Sequence, residues 1–285
     1  MGVTIGVVGL GRIGSFHVDT LSRLDNVDGL VVTDDRAEVA AAVAARFDAE
    51  AVAGAADVLA ADIDGLVIPA ATPEHTGLIL SAAEAGIPVF CEKPLASSAI
   101  DSDEVARRLT RSSVPVRIGF DRRLDPTFAA ARAAVAAGEP GWLHTVRSTT
   151  LDPEPLRRVA ASGGIVRDCA IHDFDVVLWV VGAEAAEVYV TGSGRGPDRL
   201  LEVAGSAAGA DFPDDLPRTY TMDRFTAAYR AELVSFVDVI AGTVPSPCTA
   251  ADVLEAAWIA ETLSLQARPL PLPQHRPIEM SEVRR

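Results

Sequence analysis

Basic residues are scarce in this chain: 25 lysines and arginines stand against 40 aspartates and glutamates, a formal charge of −15. A surface of that sign repels phosphate backbones and anionic lipid headgroups, which argues against nucleic acid or a membrane as a partner. Cysteine is also sparse. Cys91, Cys169 and Cys248 are widely separated, odd in number and without metal-ligand spacing, so neither a disulfide framework nor a zinc site is expected. No unbroken apolar run approaches the roughly 18 residues of a membrane helix. The N-terminus enters an apolar segment at once, without the regions of a signal peptide. These absences lead to the expectation of a soluble, cytoplasmic protein.

Apolar residues make up 49% of the 285 positions, ample for two well-formed cores. Over the first 120 residues strand and helix signals alternate, which predicts a doubly wound parallel sheet covered by helices. Strands are expected at Val3–Val8, Gly29–Thr33, Ala51–Ala53, Gly65–Pro69, Ile87–Cys91 and Val114–Phe120, with helices at Ala37–Phe47, Pro73–Ala85 and Ile100–Arg111 between them. Past about Asp121 the alternation stops. A helix at Thr127–Ala137, a strand with period-two patterning at Trp142–Thr150, a helix at Gly164–Val181 and a strand at Ala186–Thr191 point to an α+β part. A weak strand near Leu200–Val203, two closing helices at Arg224–Ala241 and Ala250–Gln266, and an extended proline-rich tail complete it. The division expected is 1–121 for a nucleotide-binding domain and 122–285 for an α+β domain with a reduced open sheet.

The turn after the first strand reads Gly9-Leu10-Gly11-Arg12-Ile13-Gly14. Gly9 permits a tight exit from the strand, Gly11 lets backbone approach a phosphate, and Gly14 lets the next helix pack on the sheet. A pyrophosphate then meets the N-terminus of that helix, where unpaired N–H groups and the positive dipole end lie. Asp34, at the end of the second strand, is placed to accept the hydroxyls of an adenosine ribose. A carboxylate there repels the 2′-phosphate of NADP and favours NAD. NADP stays open because Arg36 could accommodate that phosphate if Asp34 turned aside.

Two further segments carry candidate chemistry. Cys91-Glu92-Lys93-Pro94 follows the fifth strand, and open parallel sheets bind ligands beyond the carboxyl ends of their strands. Lys93 is thereby presented to a cleft, although a solvated lysine beside a glutamate is the competing reading. Pro94 restricts Lys93 to extended backbone and permits a cis bond. In Arg167-Asp168-Cys169-Ala170-Ile171-His172-Asp173-Phe174-Asp175, helical spacing puts Asp168 and His172 on one face, with Asp175 one turn on. A histidine among carboxylates suits general base chemistry near neutral pH. A structural His–Asp pair or a helix-face metal site competes on spacing alone.

Together GLGRIG with Asp34, ATPEHT at 71–76, CEKPLA at 91–96, GFDRRLDP at 119–126 and SGGIVRDCAIHDFDVVLWVVG at 162–182 resemble the Gfo/Idh/MocA family of oxidoreductases, the last segment especially its inositol dehydrogenases. The resemblance implies NAD, or NADP, as cofactor, held at Gly9, Gly11, Arg12, Ile13, Gly14, Asp34, Thr72, Pro73, His75, Glu92 and Lys93. An ordinary helix-start turn competes at 72–75. It implies that His172 takes the proton of a substrate hydroxyl while hydride leaves the same carbon for the nicotinamide. Lys93 would steady that oxygen, and Asp168 would bind a neighbouring hydroxyl and orient the histidine. Arg123 matches an arginine near the substrate pocket, with a structural salt bridge as the alternative, and Asp152 is a further substrate candidate. The implied substrate is a small-molecule polyol, a cyclitol or sugar, and no metal is implied.

The departures from the family pattern fall in two places. Members usually run longer, and the missing part falls between about residues 192 and 222, where relatives build strands of the open sheet used in subunit contacts. A homo-oligomer stays open, with the shortened sheet counting against it. Asp121 replaces an asparagine common in the GF-N-RR segment, a change expected to alter a local hydrogen bond without touching the proton-transfer residues. A non-catalytic NAD-binding regulator and an NAD-using glycosidase or dehydratase remain as alternatives to the dehydrogenase.

Overall fold

The computed structural model describes residues 2–150, 164–189 and 221–266. Six strands form one sheet: β1 (Val3–Val8), β2 (Val27–Thr33), β3 (Glu50–Ala51), β4 (Gly65–Ile68), β5 (Val89–Glu92) and β6 (Val116–Gly119). All pairings are parallel, in the order β3-β2-β1-β4-β5-β6. That order reverses between β1 and β4, and the crevice beyond their carboxyl ends is where such sheets bind ligands. The strand residues are almost entirely apolar because helices cover both faces.

The pleat sorts the side chains by face. Ile5, Val7, Val67 and Phe90 point to one side and pack with Val18 and Leu21 of α1 (Arg12–Leu21) and Val43 of α2 (Ala37–Phe47). Leu66, Ile68, Val89 and Cys91 point to the other, against α3 (Ala55–Ala60), α4 (Thr72–Glu84) and α5 (Ala99–Leu109). Local chemistry sets the helix ends. Ser98 caps α5 by accepting from the Asp101 N–H, and Pro73 stands in the first turn of α4, where its missing N–H costs nothing.

Beyond β6 a 3₁₀ turn (Asp121–Leu124) leads into α6 (Pro126–Ala136), capped by Asp125. A π turn (Val166–Ala170) runs into α7 (Ile171–Val181), which ends at Gly182 with φ +67°. The last elements are α8 (Thr221–Ile240), a second 3₁₀ turn (Ala251–Val253) and α9 (Leu254–Gln266). No described helix is long and apolar enough to cross a membrane.

The second half departs from expectation in two ways. Residues 142–150 and 186–189, expected as strands, form none, and Trp142 is 84% exposed. Period-two patterning makes a strand only where a neighbour supplies the ladder, and no described segment pairs with these. Leu200–Val203, Thr191 and the tail lie outside the described residues. The closing helices, expected in the α+β part, lie against the nucleotide sheet. Leu233, Phe236 and Val237 of α8 join the α1 face, while Ala256, Ala260 and Leu263 of α9 join the opposite one. The fit is close enough that a Cβ on Gly65 of β4 would come within 2.4 Å of Ile240 Cδ1.

Candidate active site

Every strand that borders the crevice ends in a residue of the site. After β1, Gly9 takes φ +100°, and a Cβ there would lie 2.6 Å from Ala70 Cα. At Gly14 a Cβ would lie 2.0 Å from the Gly9 carbonyl oxygen, so both positions need glycine for packing. Gly11 differs: a Cβ would meet nothing within 4 Å, and the residue is exposed. The free space in front of it and the N-terminus of α1, which has no side-chain cap at Gly11, suit a phosphate.

Asp34 follows β2. Its Oδ2 accepts the Leu10 N–H at 2.7 Å, and its Oδ1 accepts the Arg36 N–H at 3.1 Å and Nε at 2.8 Å. Burial favours the neutral acid, but the bonds from Arg36 and Leu10 outweigh it and hold the carboxyl below its ordinary range. The carboxylate is thus anchored beside the glycine turn, with Arg36 folded onto it.

After β4, Thr72 and Pro73 open α4 near the crevice, whereas His75 is 1% exposed. Its Nδ1 lies 2.8 Å from the Pro94 carbonyl oxygen and its Nε2 3.1 Å from that of Ala70. His75 therefore ties the β4 and β5 loops together. Glu92, expected at the cofactor, is 8% exposed and bonded at 2.7 Å to His17 Nε2 of α1. Both side chains find partners in neighbouring structure, as buried polar groups do.

Lys93, the chain's only lysine, follows β5, and the bond to Pro94 is cis. Its Nζ donates to the Asp168 carbonyl at 2.7 Å and to Asp168 Oδ1 at 2.9 Å. Asp168 stands in the π turn immediately before α7, which carries His172. Turns of that kind recur at functional sites. Asp168 is thereby committed to Lys93, and His172 finds its carboxylate elsewhere: Nδ1 lies 3.3 Å from Asp121 Oδ1. Burial first, then the charges of Lys93 and Arg122, hold His172 well below the ordinary range of an imidazole. Asp121, expected to alter a local hydrogen bond only, thus stands against His172.

Asp175 and Arg123 pair with each other. Arg123 Nε and Nη2 form a two-point pair with the Asp175 carboxylate at 2.9 and 2.6 Å, and Nη2 also donates to the Asp252 carbonyl. Both residues are buried, so the salt-bridge alternative for Arg123 is the one found. Its neighbour Arg122 reaches Asp173 Oδ1 at 2.8 Å and Thr150 Oγ1 at 2.9 Å. Asp168, His172 and Asp175, which helical spacing puts on one face, go to three separate partners. Asp152 lies outside the described residues.

Tyr229 of α8 packs against α1. Its ring is 7% exposed and meets Phe16 edge-on at 5.9 Å and His17 at 6.4 Å. Nothing in its local spacing separates it from the apolar stripe of Leu233 and Phe236. Lys93 had a usable signal beyond its motif, being a lone lysine among cations that are otherwise arginines.

Residues 3–120 match the family described as an oxidoreductase family with an NAD-binding Rossmann fold, and residues 128–234 match the GFO/IDH/MocA C-terminal domain. The chain belongs to the Gfo/Idh/MocA family. Among similar Gfo/Idh/MocA proteins, an uncharacterized oxidoreductase YrbE of Bacillus subtilis is 30% identical over 90% of this chain and 92% of its own length. The 314 aligned positions outnumber the 285 residues here, so that relative carries residues without counterpart in this chain. An inositol 2-dehydrogenase of Rhizobium meliloti is 36% identical over 67% of this chain but only 58% of its own length. The crystal structure of a myo-inositol dehydrogenase from Corynebacterium glutamicum superposes with a TM-score of 0.78 at 28% identity, covering 93% of this chain and 96% of that one. The glycine cradle and the anchored Asp34 fit the NAD of this Gfo/Idh/MocA fold.

Proposed function

We propose that this dehydrogenase oxidises a ring carbinol of a cyclitol or sugar, with an inositol as the first substrate to try. The observation that carries the reading is the contact of Lys93 Nζ with Asp168, at 2.9 Å, because it joins the loop after β5 to the helix of His172. It is supported by the likeness to the inositol 2-dehydrogenase of Rhizobium meliloti and the myo-inositol dehydrogenase of Corynebacterium glutamicum.

Gly9, Gly11, Gly14 and the first residues of α1 would hold the pyrophosphate, and Asp34 would hold the adenosine ribose. Thr72 and Pro73 border the nicotinamide side. When bound, the cofactor supplies the acceptor for the hydride of the alcohol carbon. His172, neutral because it is buried beside two cations, presents Nε2 as the proton acceptor for the hydroxyl. Lys93 donates to the same oxygen as it gains negative charge, and Asp168 holds the ammonium and accepts from an adjacent hydroxyl. The chain is divided near residue 121, with these groups drawn from both sides of that point.

The test is purified protein with NAD and a panel of inositols and aldoses, read at 340 nm. At least one substrate should give NADH, and Lys93→Ala and His172→Ala should abolish the signal. Cofactor binding without turnover across the panel would sink the reading in favour of a regulator; a cleaved or dehydrated product without net NADH would replace it with a lyase or glycosidase.

A further inference from the structure

Asp121 opens the 3₁₀ turn after β6 and is 2% exposed. Its Oδ1 lies 3.3 Å from His172 Nδ1, an atom that is closed to solvent and makes no hydrogen bond among the described residues. The Phe120 ring meets the imidazole edge-on, with centroids 5.9 Å apart, which limits rotation of the ring. The side chain of His172 keeps 12% exposure, and that exposure lies away from the sealed Nδ1 edge.

We propose that Asp121 is the positioning residue of His172: it accepts the Nδ1–H, so that the lone pair stays on Nε2, and its negative charge supports the ring when Nε2 takes up a proton. The inference rests on the reading of His172 as the base. In the step itself the O–H bond of the carbinol breaks, its electron pair stays on oxygen, and the proton forms the new N–H bond at Nε2. Nδ1 keeps its own proton throughout. A carboxylate behind an imidazole fixes the tautomer and steadies the cation, which the neutral amide common at this position in the family does less well. Asp168 is not available for that task because Lys93 holds it.

The groups facing Asp121 come from several elements. Glu92 of β5 and the adjoining Lys93, its neighbour Arg122, His172 of α7, and Tyr229 and Glu232 of α8 all act on it. Burial dominates and pushes its carboxyl up to about 7; Arg122 and Lys93 pull it down, and Glu92 pushes it up. When Asp121 gains a proton it becomes a donor to Nδ1. The imidazole proton then moves to Nε2, and the base is lost.

The experiment is a pH titration of the full chain with ¹⁵N-labelled histidine, wild type against Asp121→Asn, with the His172 signals assigned by His172→Gln. Asparagine keeps the shape and an acceptor oxygen. Wild-type His172 should carry its proton on Nδ1 at pH 8.5 and change state near pH 7, while Asp121→Asn should show no change between pH 6 and 8.5. In parallel, the acid limb of kcat/KM should move down by at least about one pH unit in Asp121→Asn, with kcat lowered about tenfold and KM little changed. Identical titrations of His172 in the two proteins would overturn the proposal. Absence of turnover on every polyol would remove the substrate reading, while the nitrogen spectra still decide the role of Asp121.

Discussion

Lys93 Nζ lies 2.9 Å from Asp168 Oδ1 across 75 residues of chain, joining the carboxyl end of β5 to the turn that launches α7. The chain's only amine side chain is thereby held by a carboxylate four residues ahead of the candidate base. This pair makes Lys93 chemically addressable. Treatment with pyridoxal phosphate and borohydride, followed by peptide mapping, should modify Lys93 slowly in wild type and severalfold faster in Asp168→Asn, where Nζ loses its ionic partner. Equal rates would mean that the pair does not persist in solution.

Gly11 and Gly14 should separate cofactor binding from folding. Gly14→Ala places a methyl 2.0 Å from the Gly9 carbonyl oxygen and should cost soluble yield and thermal stability. Gly11→Ala meets no protein atom, so Tm should hold while NAD affinity falls about tenfold, near 1.4 kcal/mol, by calorimetry.

Asp34→Ser should lower NAD affinity by roughly 10- to 100-fold, the range expected for hydrogen bonds to a charged group. It also releases Arg36, whose guanidinium is folded onto Asp34 in this structure. The ratio of kcat/KM for NADP over NAD should therefore rise, and an unchanged ratio would assign cofactor choice to other residues.

Phe236 of α8 is fully buried and lies 5.9 Å from the Phe90 ring of β5. Phe236→Ala should destabilise the nucleotide-binding sheet by about 3–5 kcal/mol in urea unfolding. A cost below about 1 kcal/mol would contradict the packing of α8 on that sheet.

Stability should carry the signature of Asp121. Its folded carboxyl titrates at about 7 against 3.8 when free, so folding takes up a proton between those values. The contribution is fully present below about pH 3.8 and is lost as pH rises through 7. Unfolding free energy from pH 5 to 7 should thus fall more steeply in wild type than in Asp121→Asn, by up to about 1.4 kcal/mol per pH unit.

The nucleotide half was largely legible because its signals are local. Apolar runs flanked by Gly9, Pro73 and Asp34 mark where strands stop and helices start, and the observed bounds of α2 coincide with those expected. The strands at 142–150 and 186–189 were misread because an alternating pattern states a capacity for pairing and says nothing of a partner. Asp121 was misread for a related reason. Its significance lies in which imidazole it meets, 51 residues away.

From the chain alone came the residue types and their order: a glycine turn, an acid after the second strand, a single lysine and a histidine on a helix. Those follow from backbone freedom, propensity and side-chain chemistry, all of which act within a few residues. Which carboxylate serves which cation was decided by the fold. Lys93 meets Asp168, His172 meets Asp121 and Arg123 meets Asp175, because the fold brings these side chains together and distance in sequence does not measure that reach.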